Sequence, residues 1–344
     1  MLNRKLEQRF HSPGFITNIT QGLDEYRLGK KQAEDYLSRT LFTLAPIPTP
    51  DKRARMIKLA ATTLLMQRLY CRLFGHAPTQ KLEEKFLLIG AMIDPYDGVQ
   101  DSPNLENSVQ FCADQFQVFA KDISGRMMSQ PTSDDEARFY AFLPILEREV
   151  PRSEFPGFWK VLKSMHAIQT ISLMQRIDVQ KQLGIKLSAN ELFEISSTKG
   201  GLNAILFASL IDSGLADTVT NVEFPPDLSL EEVNEMRQSH ITHGSLYLRG
   251  HDRLADAIYA TGALVQLVDD FEDVPDDVKA GIQTAFTSDS KAMLTFLRNL
   301  PFYLHEISSQ FLAAGKSREE NDMVLQYLEL YIARKILKRL GKFR

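Results

Sequence analysis

The chain contains Ala255-Asp-Ala-Ile-Tyr-Ala-Thr-Gly-Ala-Leu-Val-Gln-Leu-Val268, and Asp269-Asp270-Phe-Glu-Asp273 follows directly. The apolar residues of this stretch recur at helical spacing around most of the circumference, which indicates a helix buried within a larger protein. Alternation with a period of two residues, the pattern of a half-buried strand, is rare along the rest of the sequence. We therefore predict an all-α fold.

The polar end of this stretch predicts a metal site. At about 100° per residue, Gln266, Asp269, Asp270 and Asp273 fall within roughly a quarter of the helix circumference. Carboxylates this close repel one another unless cations or protons neutralise them, and sites made only of oxygen ligands suit Mg²⁺. The alternative is a solvated acidic helix end. The apolar helix that precedes the acidic residues favours the metal site.

A second acidic segment follows another apolar helical pattern. Asp94, Asp97 and Asp101 share one face if the helix continues through them, but Pro95 favours a kink, and a polar turn is the alternative. Asp94, Asp97 and Asp101 are all candidate metal ligands. In the other acidic segment, we expect Pro275 to end or bend the helix that carries Asp269, Asp270 and Asp273.

Composition limits the class of protein. The 344 residues are 44% hydrophobic, enough for a sizeable core, and the net charge of -4 offers no basic surface for nucleic acid. The two cysteines, Cys71 and Cys112, form neither a disulfide framework nor a CxxC metal pair, which favours a reduced cytoplasmic protein. The N-terminal residues 1–10 lack the apolar core of a signal peptide, and no apolar run is long enough to predict a transmembrane helix.

Basic residues complete the candidate site. Lys199 lies among small and apolar residues, where its charge is costly unless an anion or carboxylate meets it. Lys52, Arg53 and Arg55 lie in the first turn of a predicted helix, where they oppose the helix dipole; this suggests a nearby anion, although solvated surface charges are the alternative. The basic C-terminal segment, residues 333–344, is either a solvated helix end or a contact for an anionic substrate or membrane surface.

The histidines do not predict a metal site. His166 is a lone histidine in a helical pattern, which is usually a hydrogen-bonded structural residue. His240 and His243 have the spacing of a metal pair, but no third ligand accompanies them.

The two acidic clusters are separated by about 170 residues and both end apolar helices. An antiparallel helical bundle can bring two such ends together at the mouth of an apolar cavity. Oxygen ligands on opposite rims would then hold Mg²⁺ against a diphosphate, with Lys199 on other phosphate oxygens. The chemistry that this arrangement suits is departure of diphosphate from an apolar substrate, with dry walls protecting the carbocation.

Four segments carry a resemblance to a known family. Gln266-Leu-Val-Asp269-Asp270-Phe-Glu-Asp273 resembles the second aspartate-rich motif of the trans-isoprenyl diphosphate synthases, within the class I isoprenoid synthase superfamily. Thr198-Lys199-Gly200 resembles the Lys-Thr helix of that family, and Asp51-Lys52-Arg53-Ala-Arg55 resembles its Gly-Lys-Arg segment. Asp97-Gly-Val-Gln-Asp101 is similar to the first motif in the DxxxD form of squalene and phytoene synthases. Their order fits the family over residues 51–280.

The resemblance implies a single-domain antiparallel bundle of the isoprenoid synthase type with a central apolar cavity. Residues 1–50 would form N-terminal helices, 51–280 the core and 281–344 C-terminal helices. Three Mg²⁺ ions are implied, two on Asp97 and Asp101, with Asp94 as a further candidate, and one on Asp269 and Asp273. The diphosphate would be bound by Lys199, Gln266, Lys52, Arg53 and Arg55, and Gln266 and Asp270 would support the third metal by hydrogen bonding.

The branch of the superfamily depends on a missing feature. Chain-elongating members usually carry two arginines shortly after the first motif, whereas residues 102–108 contain no basic residue. We therefore expect a terpene synthase that ionises one linear prenyl diphosphate. The alternatives are a prenyltransferase that also uses isopentenyl diphosphate, and a non-catalytic prenyl-diphosphate-binding protein. Related folds are often dimeric, so a homodimer is possible.

Overall fold

The structure is a computed structural model that describes residues 13–44, 46–102, 104–120, 130–223, 228–241, 244–288 and 290–341. Most of these residues are helical, and among them only two isolated β-bridges form, without a strand. The all-α prediction is confirmed. The α-helices, in chain order, are α1 (Pro13–Thr40), α2 (Pro50–Leu73), α3 (Gln80–Gln100), α4 (Leu105–Ala120), α5 (Asp134–Glu149), α6 (Pro156–Ile171), α7 (Ile177–Leu183), α8 (Ala189–Ala208), α9 (Leu230–His240), α10 (Arg253–Ala280), α11 (Ala285–Ser288), α12 (Ser290–Ala313) and α13 (Arg318–Gly341).

Local sequence signals explain several helix ends. The capping box predicted at Ser188 and Glu191 is present, with each side chain bonded to the other residue's backbone N–H. Ser133 caps α5 through its hydroxyl, which accepts from the N–H of Glu136. Gly281 ends α10 in the left-handed conformation that a glycine adopts without steric penalty.

Each of the two acidic segments has a proline inside its helix. Pro95 is in α3, which continues to Gln100, and Pro275 is in α10, which continues to Ala280. The expectation that Pro275 ends or bends its helix was wrong about the end: the proline removes one backbone hydrogen bond, and the flanking turns still carry the helix to Gly281. Each acidic cluster is therefore held on one helix at regular spacing.

A helix predicted as continuous is broken instead. The apolar pattern of Glu154–Leu183 predicts one long helix with an early interruption at Pro156-Gly157, but Pro156 begins α6. The break comes at a 3₁₀ helix, Ser172–Gln175, and Arg176 follows it in an extended conformation. An isolated bridge between Arg176 and Ile282 holds this break against the end of α10.

Helices α8 and α10 cross closely at a pair of glycines. A Cβ atom added to Gly200 would overlap the carbonyl oxygen of Gly262, and one added to Gly262 would overlap that of Gly200. Gly201 likewise packs against the ring of Tyr259. From the sequence alone, the double glycine Gly200-Gly201 is compatible either with close packing or with a helix break. In the structure the helix continues through both glycines, and they are a site of close packing.

Buried apolar side chains from most of the helices form a connected core, with Phe86, Phe142, Phe158 and Phe207 among the largest that are fully covered. In the portion of the chain that the structure describes, we find no helix with the combined length and apolarity that a membrane crossing requires.

The glycine crossing leads to a stability prediction. We expect Gly200→Ala and Gly262→Ala each to destabilise the protein by about 2 kcal/mol, because the new methyl group meets backbone atoms that cannot move aside. Thermal and urea denaturation would measure this. Gly29→Ala is the matched control, since this buried helical glycine has no atom closer than 3.7 Å to an added Cβ, and it should be neutral or stabilising. Equal effects at all three positions would contradict the close-packing account.

Candidate functional site

A polar pocket of about 210 Å³ opens between α3, α8, α10 and the break after α6. It brings together residues from both acidic clusters and the lysine between them in sequence. The predicted site residues that line it are Asp97, Asp101, Lys199, Gln266, Asp270 and Asp273.

The α10 side of the pocket has a regular spacing. Gln266, Asp270, Asp273 and Asp277 all line it, and their separations of four, three and four residues place them on one helix face. Asp277 follows Pro275, and the expected end of the helix at that proline excluded it from the predicted site. Its spacing of four residues from Asp273 is the sequence signal that could have found it.

Burial and mutual repulsion raise the proton affinity of the pocket carboxyls. Burial and the neighbouring Asp101 raise the pKa of Asp97 to about 6, although Lys199 opposes the shift. Burial, Asp270 and Asp273 raise the pKa of Asp277 to about 7. Both carboxyls therefore bind a proton more readily than a solvated aspartate does, first because they are buried and then because other carboxylates lie nearby.

Asp270 is held by hydrogen bonds inside this face. Its carboxylate accepts from Gln266 Nε2 at 2.8 Å and from the hydroxyl of Ser196 on α8. Burial nevertheless raises its pKa. The supporting role predicted for Gln266 therefore has a geometric counterpart: its amide fixes the Asp270 side chain within the pocket.

Asp269 lies outside the pocket lining. Its carboxylate accepts from Tyr331 Oη at 2.6 Å and forms an ion pair with Lys335, both on α13. Asp269 is next to Asp270 in the sequence but lies outside the pocket face of α10. Its contacts with Tyr331 and Lys335 direct its side chain toward α13. The structure thus separates the first aspartate of the second motif from Asp270 and Asp273.

Glu272 anchors the same helix contact. Its side chain is 1% exposed, and its two oxygens meet Lys335 Nζ at 2.9 Å and Lys338 Nζ at 2.5 Å. Burial acts to raise its pKa, but these two lysines outweigh that effect and lower the pKa to about 2. Arg339 donates to the backbone carbonyl of Phe271 beside it. Much of the basic C-terminal segment is therefore used to hold α13 against α10.

The basic residues of the first turn of α2 are occupied. Arg55 pairs with buried Asp94 at 2.8 Å and reaches Asp97 at 3.8 Å. Lys52 forms an ion pair with Asp135, and Arg53 donates to Ser38 Oγ at 2.9 Å, away from the pocket lining.

Asp135 explains the glycine within the first motif. A Cβ atom added to Gly98 would overlap the Asp135 carboxylate, which Lys52 and Arg138 hold in place. Asp135 of α5 thus fills the space beside Gly98, the position at which the aspartate-rich motif that this segment resembles has its second aspartate.

Several pocket residues were not predicted from the sequence, among them Gln100, Arg176 and Ser196. Gln100 was within reach of sequence reasoning, because it lies one turn from Tyr96 and next to Asp101. Arg176 was not, because it enters the pocket only through the helix break. Its guanidinium donates to the carbonyl of Ser102 at 2.7 Å and pairs with Asp178 at 2.8 Å.

The histidines behave as structural residues where they are described. His166 is 1% exposed and bonds to Tyr96 Oη and to the carbonyl of Cys112. His240 contacts Ser245 Oγ at 2.7 Å. His243 lies outside the described residues.

The donor set suits a divalent cation that is bound together with an anionic ligand. Within the described part of the chain, no three His, Cys, Asp or Glu side chains converge into a preassembled metal site. Mg²⁺ is usually bound by one or two carboxylates together with water and substrate phosphates, so it does not require such a cage. Five carboxylates face Lys199 and Arg176 across the pocket. Four of them, Asp97, Asp270, Asp273 and Asp277, have raised pKa values, which an added cation would lower.

The predicted central apolar cavity is not confirmed. The pocket walls are mainly polar, with Leu173 and Ile282 as their large apolar members. Near Asp97, the aromatic residues Tyr96, Phe111 and Phe139 pack with ring centroids 5.4–5.6 Å apart.

The chain matches no protein-family model, no curated protein and no solved structure. Functional inference therefore rests on the pocket and on the sequence motifs that line it.

The raised pKa of Asp277 predicts a stability gain on neutralisation. A carboxyl with a raised folded-state pKa binds more protons when folded, so stability falls as pH rises from about 4 to about 7. Above that range we expect Asp277→Asn to stabilise the metal-free protein by about 1 to 2 kcal/mol. Thermal denaturation at pH 8 in chelator would test this. Asp276→Asn, an exposed neighbour, is the control; an equal gain there would exclude a pocket-specific origin.

The lowered pKa of Glu272 predicts the opposite pH dependence. Its stabilising effect is complete above the unfolded-state pKa of about 4.5 and is lost as pH falls toward 2. We expect Glu272→Gln to lower stability at pH 7 by about 2 kcal/mol, because two lysines lose their partner, and to flatten stability between pH 4.5 and 2. Urea denaturation across this range would measure both effects. Glu319→Gln, at an exposed position of α13, is the control and should change neither quantity. If Glu272→Gln still lost stability between pH 4.5 and 2 as the wild type does, Glu272 would not be the source of this pH dependence.

Proposed function

We propose that the protein is a Mg²⁺-dependent enzyme of the class I terpene synthase type, which ionises one linear prenyl diphosphate. The observation that supports this proposal is the convergence of the two acidic motifs and Lys199 on one pocket. These segments are far apart in sequence, and each has residue types that suit the binding of a metal-complexed diphosphate. An acidic pocket binds a diphosphate only when cations bridge the two, which is the arrangement that the motifs imply.

Each wall of the pocket has a role in this scheme. Asp97 and Asp101 would hold cations on the α3 side, and Asp270, Asp273 and Asp277 form the opposite wall on α10. When bound, Mg²⁺ supplies charge stabilisation to the leaving diphosphate. Lys199 donates directly to phosphate oxygens, and its place beside the Gly200 crossing holds its backbone rigid. Arg176, at the helix break, adds a second positively charged side chain to Lys199.

The volume of the pocket suits the diphosphate end of the substrate rather than the whole molecule. At about 210 Å³ it is smaller than the roughly 300–1,000 Å³ of typical ligand sites. It suits a diphosphate and its ions, and the hydrocarbon would extend past Leu173 or Ile282. The side chains near Leu173 and Ile282 must move to accommodate the hydrocarbon, and they return to their positions when the product leaves.

The engaged basic residues favour a single diphosphate substrate. A prenyltransferase needs a second anion site for isopentenyl diphosphate, and Lys52 and Arg55 would be its nearest cations. Lys52 is paired with Asp135, and Arg55 is shared by Asp94 and Asp97. Breaking these pairs would expose buried carboxylates such as Asp94, which is costly.

One observation favours a second candidate, a non-catalytic prenyl-diphosphate-binding protein. Asp269, the first acidic residue of the second motif, is committed to Tyr331 and Lys335 rather than to the pocket. A site with a reduced ligand set can bind a metal–diphosphate complex without driving its ionisation. Binding without turnover is the distinguishing property of this candidate.

The proposal is tested by diphosphate release from geranyl, farnesyl and geranylgeranyl diphosphates with Mg²⁺, with and without isopentenyl diphosphate. We expect release without the second substrate, and a loss of at least about 100-fold in Asp97→Asn and Asp273→Asn, because each removes charge from a preorganised site. Asp269→Asn should lose less, since its carboxylate faces α13. Asp276→Asn is the control at an exposed position of α10.

Each contrary result has a defined meaning. Release only with isopentenyl diphosphate would identify a prenyltransferase. Mg²⁺-dependent binding of a prenyl diphosphate without release would identify the binding protein. Release that survives Asp97→Asn and Asp273→Asn would remove the pocket from the mechanism.

A further inference from the structure

Gln100 is a pocket residue with a fixed side-chain orientation. It is 5% exposed, and its Nε2 lies 3.1 Å from Tyr96 Oη and 3.5 Å from Cys112 Sγ. Both partners lie on the inner side, away from the pocket, whereas Gln100 itself contributes to the pocket wall. Its amide nitrogen is therefore used up within the protein.

The hydrogen bonds behind Gln100 can run in only one direction. The carbonyl of Cys112 only accepts, so His166 Nε2, at 2.9 Å, must carry the proton and donate to it. Burial lowers the pKa of His166 to about 4, so the ring is neutral at physiological pH and Nδ1 is an acceptor. Tyr96 Oη therefore donates to Nδ1, and its remaining lone pair accepts from Gln100.

This direction determines which atom of the amide faces the pocket. If the amide were reversed, Oε1 would face Tyr96 Oη, whose proton is already given to His166, and two lone pairs would oppose each other. The network thus keeps Nε2 inside and leaves Oε1 on the pocket side. No hydrogen bond to Oε1 forms within the described residues, and this oxygen is not among the buried unpartnered atoms.

We propose that Gln100 Oε1 is a neutral oxygen donor for the divalent cation held by Asp97 and Asp101, and that Tyr96 and His166 are the residues that position it. Gln100 lies between the two aspartates in sequence and shares the pocket wall with both. Amide oxygens are hard donors of the kind that Mg²⁺ accepts. A neutral donor adds a ligand without adding to the repulsion that already raises the pKa of Asp97.

The inference rests on the proposed function for its cation, but it can be tested without any prenyl substrate. Isothermal titration with Mg²⁺, and electron paramagnetic resonance with Mn²⁺, would measure the cation Kd in the presence of inorganic diphosphate. We expect Gln100→Met to weaken Kd about 10-fold, because the oxygen donor is replaced by an apolar side chain of similar length. Asp97→Asn is the positive control for loss of binding.

The positioning role is tested by coupling. Tyr96→Phe should weaken Kd about 3- to 5-fold, because the amide loses the acceptor that orients it. In Gln100→Met the same change should add nothing, since Tyr96 acts only through Gln100. Tyr140→Phe is the matched control: it removes a buried hydroxyl from the same aromatic cluster, where Tyr140 donates to Glu136 at 2.7 Å, and it should leave Kd unchanged.

Three results would overturn the proposal. These are a wild-type Kd in folded Gln100→Met, a further loss from Tyr96→Phe in the Gln100→Met background, and an equal loss in Tyr140→Phe. If the wild type binds cation through Asp97 and Gln100 but releases no diphosphate from any prenyl substrate, the proposed function fails and this assignment stands. If the wild type binds no cation even with inorganic diphosphate, both fail.

Discussion

The candidate site depends on the contact between Gly200 and Gly262. Without side chains at these positions, the backbones of α8 and α10 approach until carbonyl oxygen meets Cα hydrogen, and no larger residue fits at either position. Lys199 precedes one glycine, and Gln266 follows the other by about one helical turn. The crossing therefore sets the distance across the pocket between the lysine and the α10 carboxylates, and no flexible loop takes part in setting it.

The acidic residues of α10 divide into two groups with opposite energetics. On the pocket face, Asp273 and Asp277 have raised pKa values because burial and neighbouring carboxylates oppose their charge. On the face toward α13, Glu272 has a lowered pKa because two lysines neutralise it. One helix thus carries both a destabilising set of charges and the ion pairs that compensate for them. This is the expected pattern where a binding site is built at the expense of local stability.

Most of the fold was predictable because it depends on short-range patterns. Apolar periodicity located the helices, and the Ser188 capping box marked a helix start correctly. Pro275 was misjudged because a proline removes only one hydrogen bond, and long-range packing decides whether the helix continues. The direction of Asp269 could not be read from an arc of about 100°, since it depends on α13, more than 50 residues further along the chain.

The candidate site was predictable in part for the same reason. Asp97, Asp101, Lys199, Asp270 and Asp273 lie in recognisable motifs, and the structure places them around one pocket. Arg176 had no local signal, because a helix break that no proline or glycine marks carries it into the pocket. The packing of aromatic rings near Asp97 was equally hidden, since apolar periodicity indicates burial but not whether space remains between the buried groups.

The packing of Asp135 against Gly98 also restricts how this protein can change over evolutionary time. An aspartate at position 98 would restore the two adjacent acids of the related motif, but it would meet the Asp135 carboxylate at overlapping distance. Asp135 cannot simply be lost first, because Lys52 would then lose its carboxylate partner and buried Arg138 would lose the closer of its two. Either single step passes through a destabilised intermediate. The residues at positions 98 and 135 are thus coupled, and replacing either one alone carries a stability cost that a paired replacement would avoid.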